Sequence, residues 1–179
     1  MTVRTITLPD ATVGLIAKQL MWSCRWPFAA VVLSFTACTF LAAVTTDPIL
    51  FQAGLWLLVH ALFLLGGFLV HEWSHVAGMR LFRGVSDIVI SAGVLRFSVI
   101  PVGRLYGWQI AIVATLGPGA SCLVGALIAQ LAPGSLLQYW FLLHAVFLLP
   151  FFGDGRSLIL GIRVWARPVG LRAPGIKGC

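Results

Sequence analysis

The sequence predicts an all-α membrane protein, with four transmembrane helices and a short strand or hairpin between the second and the third. Three observations carry this. First, the 179 residues are 60% hydrophobic and only 9% charged, with a mean hydropathy of +1.01, whereas a soluble domain carries about 25% charged residues. Second, the charges are spaced so as to leave apolar stretches as long as a bilayer is thick. Third, the basic residues fall between alternate stretches, which is the pattern of loops on one side of a membrane.

The elements follow from the gaps. No charge occurs from Trp26 to Thr46, a run of about the 20 residues a spanning helix needs, and Pro27 suits its first turn. The first helix is placed at about 27–46. Between Asp47 and His71 the sole ionisable group is His60, which gives a second helix at about 51–82. From Leu105 to Gly153 there is again no formal charge, and the turn signal Ala132-Pro133-Gly134-Ser135 divides this stretch. Helices at about 107–131 and 136–165 result, the last interrupted near Gly153-Asp154-Gly155. The segment from Val85 to Pro101 is rich in Val, Ile, Ser and Gly and alternates in polarity, so it reads as a strand or hairpin at the membrane surface. No repeat or linker suggests a second domain, and residues 1–179 are expected to form a single membrane domain.

Twelve basic residues against five acids give a net charge of +7. In a soluble chain that balance would suggest nucleic acid, but no basic run is interleaved with stacking aromatics, so no nucleic-acid partner is expected. The expected partner of the basic loops is the lipid bilayer. Arg4, Lys18 and Arg25 precede the first helix; Arg80, Arg83, Arg96 and Arg104 follow the second; Arg156, Arg163, Arg167, Arg172 and Lys177 gather late in the fourth and beyond it. Under a four-helix reading all of these lie on one side, with Asp47 on the other, so both termini are expected in the cytoplasm. Arginine outnumbers lysine ten to two, as in GC-rich bacterial genomes, and a bacterial inner membrane is the expected location. Cys24, Cys38, Cys122 and Cys179 show no CxxC spacing, so neither a disulfide framework nor a cysteine metal knuckle is expected. No small-residue cleavage site follows a short apolar core near the N-terminus, so no cleavable signal is expected either.

The chemistry concentrates in His71-Glu72-Trp73-Ser74-His75, an HExxH sequence at the end of the second helix. Residues four apart share a helix face, so both imidazoles can grip one metal ion. Glu72, the sole glutamate of the chain, lies beside them, placed to accept a proton from water. An ionisable group at membrane depth is costly and therefore points to function. The bland alternative is that these groups pair among themselves, and it is the reading given to the isolated His60 and His144.

A catalytic zinc takes a third protein ligand. The extended HExxHxxGxxH pattern fails, because Leu81 stands at its last position, and a downstream glutamate ligand is impossible. Asp87, Asp154 and His144 remain as candidates. Asp154 lies in Pro150-Phe151-Phe152-Gly153-Asp154-Gly155, a polar break after an apolar helix. Asp87 lies in the arginine-rich loop.

These motifs, in this order, resemble the site-2 protease family of intramembrane zinc metalloproteases. HEWSH at 71–75 matches that family's HExxH, Gly117-Pro118 resembles its Gly-Pro motif, and Gly153-Asp154-Gly155 resembles its Asp-Gly motif. The resemblance covers about residues 55–165. It implies zinc held by His71, His75 and Asp154, with Glu72 as catalytic base and Gly117 and Pro118 positioning substrate. It further implies a peptide or transmembrane-segment substrate, hydrolysed at a site facing the cytoplasm. The asparagines that the family commonly carries after Gly-Pro and ahead of Asp-Gly are replaced here by Gly119-Ala120-Ser121 and by Pro150-Phe151-Phe152. A chain altered in this way also suits two other roles. One is a peptide-tailoring enzyme that uses the same residues for acid–base chemistry such as Cα epimerisation; the other is a non-catalytic membrane partner subunit.

Overall fold

A computed structural model describes residues 2–93 and 96–171. The chain opens with strand β1 (Thr2–Thr7), followed by helix α1 (Val13–Ser23). The Thr12 side chain accepts from the Leu15 amide at 3.2 Å and so caps the start of α1. Helix α2 (Arg25–Thr45) follows and turns at Thr46, which adopts a left-handed conformation (φ 54°). Helix α3 (Pro48–Arg80) begins where the Asp47 carboxylate accepts from the Ile49 amide at 2.9 Å, with proline at a position that suits a first turn.

Strands β2 (Val85–Gly93) and β3 (Arg96–Tyr106) lead into helix α4 (Gly107–Leu131). Gly134, with φ 84°, turns the chain back into the short helix α5 (Gln138–Leu142) and a 3-10 turn at Leu143–Leu148. Leu149, preceding Pro150, is extended, as residues before proline are, and the path bends by 44° before helix α6 (Gly153–Arg163). Strand β4 (Pro168–Leu171) ends the described chain.

Helices α2, α3 and α4 are each long and apolar enough to cross a membrane, and the bent pair before and after Pro150 makes a fourth candidate if it counts as one span. This is compatible with a multi-pass membrane protein. The candidate spans Arg25–Thr45, Pro48–Arg80 and Gly107–Leu131 lie close to the 27–46, 51–82 and 107–131 read from the sequence. None of α2 is buried, whereas α4 buries a stripe running Gly107, Ile110, Ala111, Ala114, Pro118, Ser121 and Gly125. Helical spacing aligns that stripe on one face, and α3, α5 and α6 pack against α4. So α2 is peripheral and α4 central.

The all-α expectation is corrected by the sheet. The hairpin β2–β3 is present, but β1 joins one side and β4 the other, giving an antiparallel order β1-β2-β3-β4. Thr2-Val3-Arg4-Thr5-Ile6-Thr7 is β-branched and alternating, a strand pattern that finds a partner only because Thr2 pairs with Ala92 and Thr7 with Asp87. The fourth expected helix, 136–165 with an interruption near Gly153, is indeed broken, but the break falls just before Gly153: α5 and the 3-10 turn end at Leu148 and α6 starts at Gly153, because Pro150 interrupts the helical ladder. The core lies where the sheet meets the helix ends, with Ile16, Val76, Met79, Ile88, Ile90 and Leu105 almost fully buried. That junction holds the last turn of α3 rigidly beside β3. Arg172, Lys177 and Cys179 lie outside the described residues.

Candidate metal centre

His71 and His75 lie on the same face of α3, one turn apart, and both are buried. Their Nε2 atoms are 3.1 Å apart. Asp154, in the first turn of α6, closes the third side: its Oδ2 lies 3.0 Å from His71 Nε2, and its Oδ1 lies 3.3 Å from His75 Nε2. The break at Pro150 is what allows this. By ending one helix and starting another, it brings the Asp154 turn against the end of α3 in the middle of an apolar assembly.

The proton on His75 can be placed. Its Nδ1 lies 2.7 Å from the Val113 carbonyl of α4, which only accepts, so Nδ1 carries a hydrogen and, in the neutral ring, Nε2 presents a lone pair. That lone pair faces His71 Nε2 and a carboxylate. Three electron-rich atoms converge, and a single proton on His71 cannot satisfy them all. The observation fits a cation. Bonds of about 2.0–2.1 Å to a tetrahedral ion put neighbouring donor atoms roughly 3.3 Å apart, close to the three separations found. His71, His75 and Asp154 can therefore hold a metal ion, their ligand atoms all lying within 4.8 Å of one another. Two imidazoles and a carboxylate are also a donor set used by catalytic zinc.

Gly117 explains how α4 approaches so closely. A Cβ at that position would overlap the His75 ring, so only glycine lets the helix seat against this imidazole. Pro118 is fully buried. Gly117 sits behind His75, and neither residue lines the groove that opens in front of the cluster.

That groove is bounded by His75 and Asp154, by Val99, Ile100 and Pro101 of β3, by Val113 and Ala114 of α4, and by Ser157 and Leu160 of α6. Its walls are chiefly apolar. Glu72 is buried beside it, with the backbone amide of Val99 turned toward its carboxylate and His75 and Asp154 within electrostatic reach. β3 is paired with β2 along its length but with β4 only from Gly103 to Tyr106. Among the described residues, the stretch Phe97–Val102 has no strand on its groove side.

The other candidates for a third ligand are placed elsewhere. Asp87 lies on β2 and accepts from the Ser86 hydroxyl at 2.7 Å. His144 is buried beside His71, with ring centroids 5.2 Å apart, but lies outside the converging group. His60 stacks on Trp56 at 3.8 Å and hydrogen-bonds the Trp56 carbonyl. Two contributors have no signature in the sequence: the carbonyl of Val113 and the amide of Val99 act through backbone, which any residue type supplies. The glycine at 117 is itself a signal for the close approach of α4 to His75, a role distinct from the substrate positioning that the resemblance implies.

No protein-family model, no curated protein and no solved structure matches this chain.

Proposed function

We propose that the chain is an intramembrane zinc metallopeptidase of the site-2 protease kind, acting on a membrane-associated peptide or transmembrane segment. The observation that carries the reading is the convergence of the buried His71 and His75 with the half-buried Asp154 at one point, with buried Glu72 next to it. The three would hold zinc, which when bound supplies a Lewis acid and acidifies water. Glu72 takes the proton of the attacking water as its oxygen adds to the scissile carbonyl carbon. The same carboxyl then hands that proton to the amine nitrogen as the C–N bond breaks. Val113 keeps His75 in the tautomer this requires, with its Nδ1 protonated.

The groove supports a peptide substrate. Its apolar walls suit hydrophobic side chains, and the edge of β3 from Phe97 to Val102 carries backbone groups that an extended chain can pair with. A helix hides its own carbonyls, so a transmembrane substrate has to unwind locally to be cut. The basic residues flanking the sheet end of the bundle support a site on the cytoplasmic side, by the positive-inside rule.

The test is mass spectrometry of a panel of apolar single-span peptides incubated with the full chain in proteoliposomes. Product pairs whose masses sum to substrate plus one water, absent with Glu72→Gln, are expected. A product of unaltered mass and changed retention would overturn hydrolysis in favour of isomerising chemistry such as epimerisation.

A further inference from the structure

The two histidine ligands are supported unequally. His75 donates its outer N–H to the Val113 carbonyl, the usual arrangement, since metal-ligating histidines almost always commit the second ring nitrogen to an acceptor. His71 directs Nε2 to the cluster, so its Nδ1 bears the hydrogen; yet Nδ1 is buried with no partner in the structure. A second buried ring nitrogen without a partner is His144 Nε2. His144 Nδ1 lies 2.9 Å from the Trp140 carbonyl, which fixes the proton on Nδ1 and leaves Nε2 as a bare acceptor. One orphan is therefore a donor and the other an acceptor. Their rings are 5.2 Å apart between centroids, inclined at 44°.

The surroundings hold both rings in place. Phe147 packs at 5.1 Å from the His71 ring and 5.5 Å from that of His144, and Phe68 meets His144 edge-on at 4.9 Å. Gly67, one turn before His71, admits the imidazole to this spot, for a Cβ there would lie 2.8 Å from His144 Cε1. His144 is 2% exposed, and an unsatisfied polar atom at such depth is expensive. An apolar side chain would fill the same space without that cost.

We propose that His144 Nε2 accepts the hydrogen bond of His71 Nδ1–H through one buried water, and so is a positioning residue that fixes the tautomer and orientation of a metal ligand. The proposal rests on the metal-site reading above. It assigns His144 a part in metal affinity without making it a ligand.

The test measures zinc affinity of the purified full chain by competition with a chelating dye. His144→Phe fills the aromatic surroundings but removes the acceptor, and is expected to weaken zinc binding roughly 10–100-fold. His144→Gln, whose amide oxygen accepts, is expected to recover most of that loss. A packing role predicts the reverse order, so phenylalanine binding zinc as tightly as wild type, or glutamine no better than phenylalanine, overturns the proposal. Nitrogen NMR of histidine-labelled wild type covers the case in which His144→Phe does not fold. It should find His144 protonated on Nδ1 with Nε2 bare, and a proton on Nε2 overturns the proposal. Wild type that takes up no zinc overturns the metal-site reading itself, whereas wild type and His144→Phe binding it equally overturns this inference alone.

Discussion

Glu72 and His75 show how one face of a helix divides its labour. The imidazole is fixed by Val113 behind and presents Nε2 forward, while the neighbouring buried carboxylate meets the Val99 amide. Glu72→Gln keeps the shape and the hydrogen bond but cannot hold a proton. It is expected to leave zinc content unchanged and to lower turnover by 10²–10⁴-fold, measured as the initial rate of peptide hydrolysis beside metal analysis of the same sample. Unreduced turnover would remove Glu72 from the chemistry. The HExxH pair was legible in the sequence because helical spacing alone brings its residues together. The third ligand was legible only in part: the residues alone left Asp87, Asp154 and His144 open, and the resemblance pointed to Asp154, whose proximity depends on where α6 starts after the Pro150 break. His144, read as a satisfied core histidine, meets only half of that description: Nδ1 is paired and Nε2 is not.

At the scale of elements, the contact between α3 and α4 sets the site. Gly117 and Gly119 lie two residues apart on α4, on nearly opposite faces, and differ in what a methyl group would meet: the His75 ring at the first, nothing within 4 Å at the second. Gly119→Ala is therefore expected to be neutral or to stabilise by up to about 1 kcal/mol, the difference in helix propensity. Gly117→Ala is expected to cost about 1–3 kcal/mol through overpacking and to weaken zinc binding as His75 is pushed off its position. Thermal unfolding and zinc competition on the two variants check this, and equal behaviour would show that the α3–α4 contact yields freely. The long helices were readable because charge spacing and bilayer thickness define them independently of packing. The sheet was half-readable. Alternation marks β2 and β3, but β1 and the four-residue β4 exist by pairing with that hairpin, and pairing between distant segments is not local information.

For the whole molecule, connectivity gathers the basic residues at one end. α3 ends at Arg80 and α4 starts from β3 beside Arg104, while α6 ends at Arg163 ahead of β4; the opposite turns carry Asp47 and no basic residue. Cys24, at the joint of α1 and α2, reports on that end. A membrane-impermeant maleimide should label Cys24 from the cytoplasmic side alone, and labelling from outside intact cells would invert the orientation. The pH dependence is fixed in sign. Burial pushes the Cys24 thiol above its ordinary pKa, and the thiolate is the reactive form. Labelling at neutral pH should therefore be slower than for a free cysteine, and its rate should still be climbing at pH values where the free thiol has levelled off.

The central claim is that His71, His75 and Asp154 together hold a metal ion, and metal analysis of the purified chain and three variants tests it most directly. Wild type should carry about one zinc per chain. His71→Ala and Asp154→Asn should lose most of it, since each removes one of the three donors a catalytic zinc takes from protein. Asp87→Asn, on β2 and hydrogen-bonded to Ser86, should keep it at the wild-type level. A metal-free wild type, or zinc that survives Asp154→Asn and is lost with Asp87→Asn, would contradict the account.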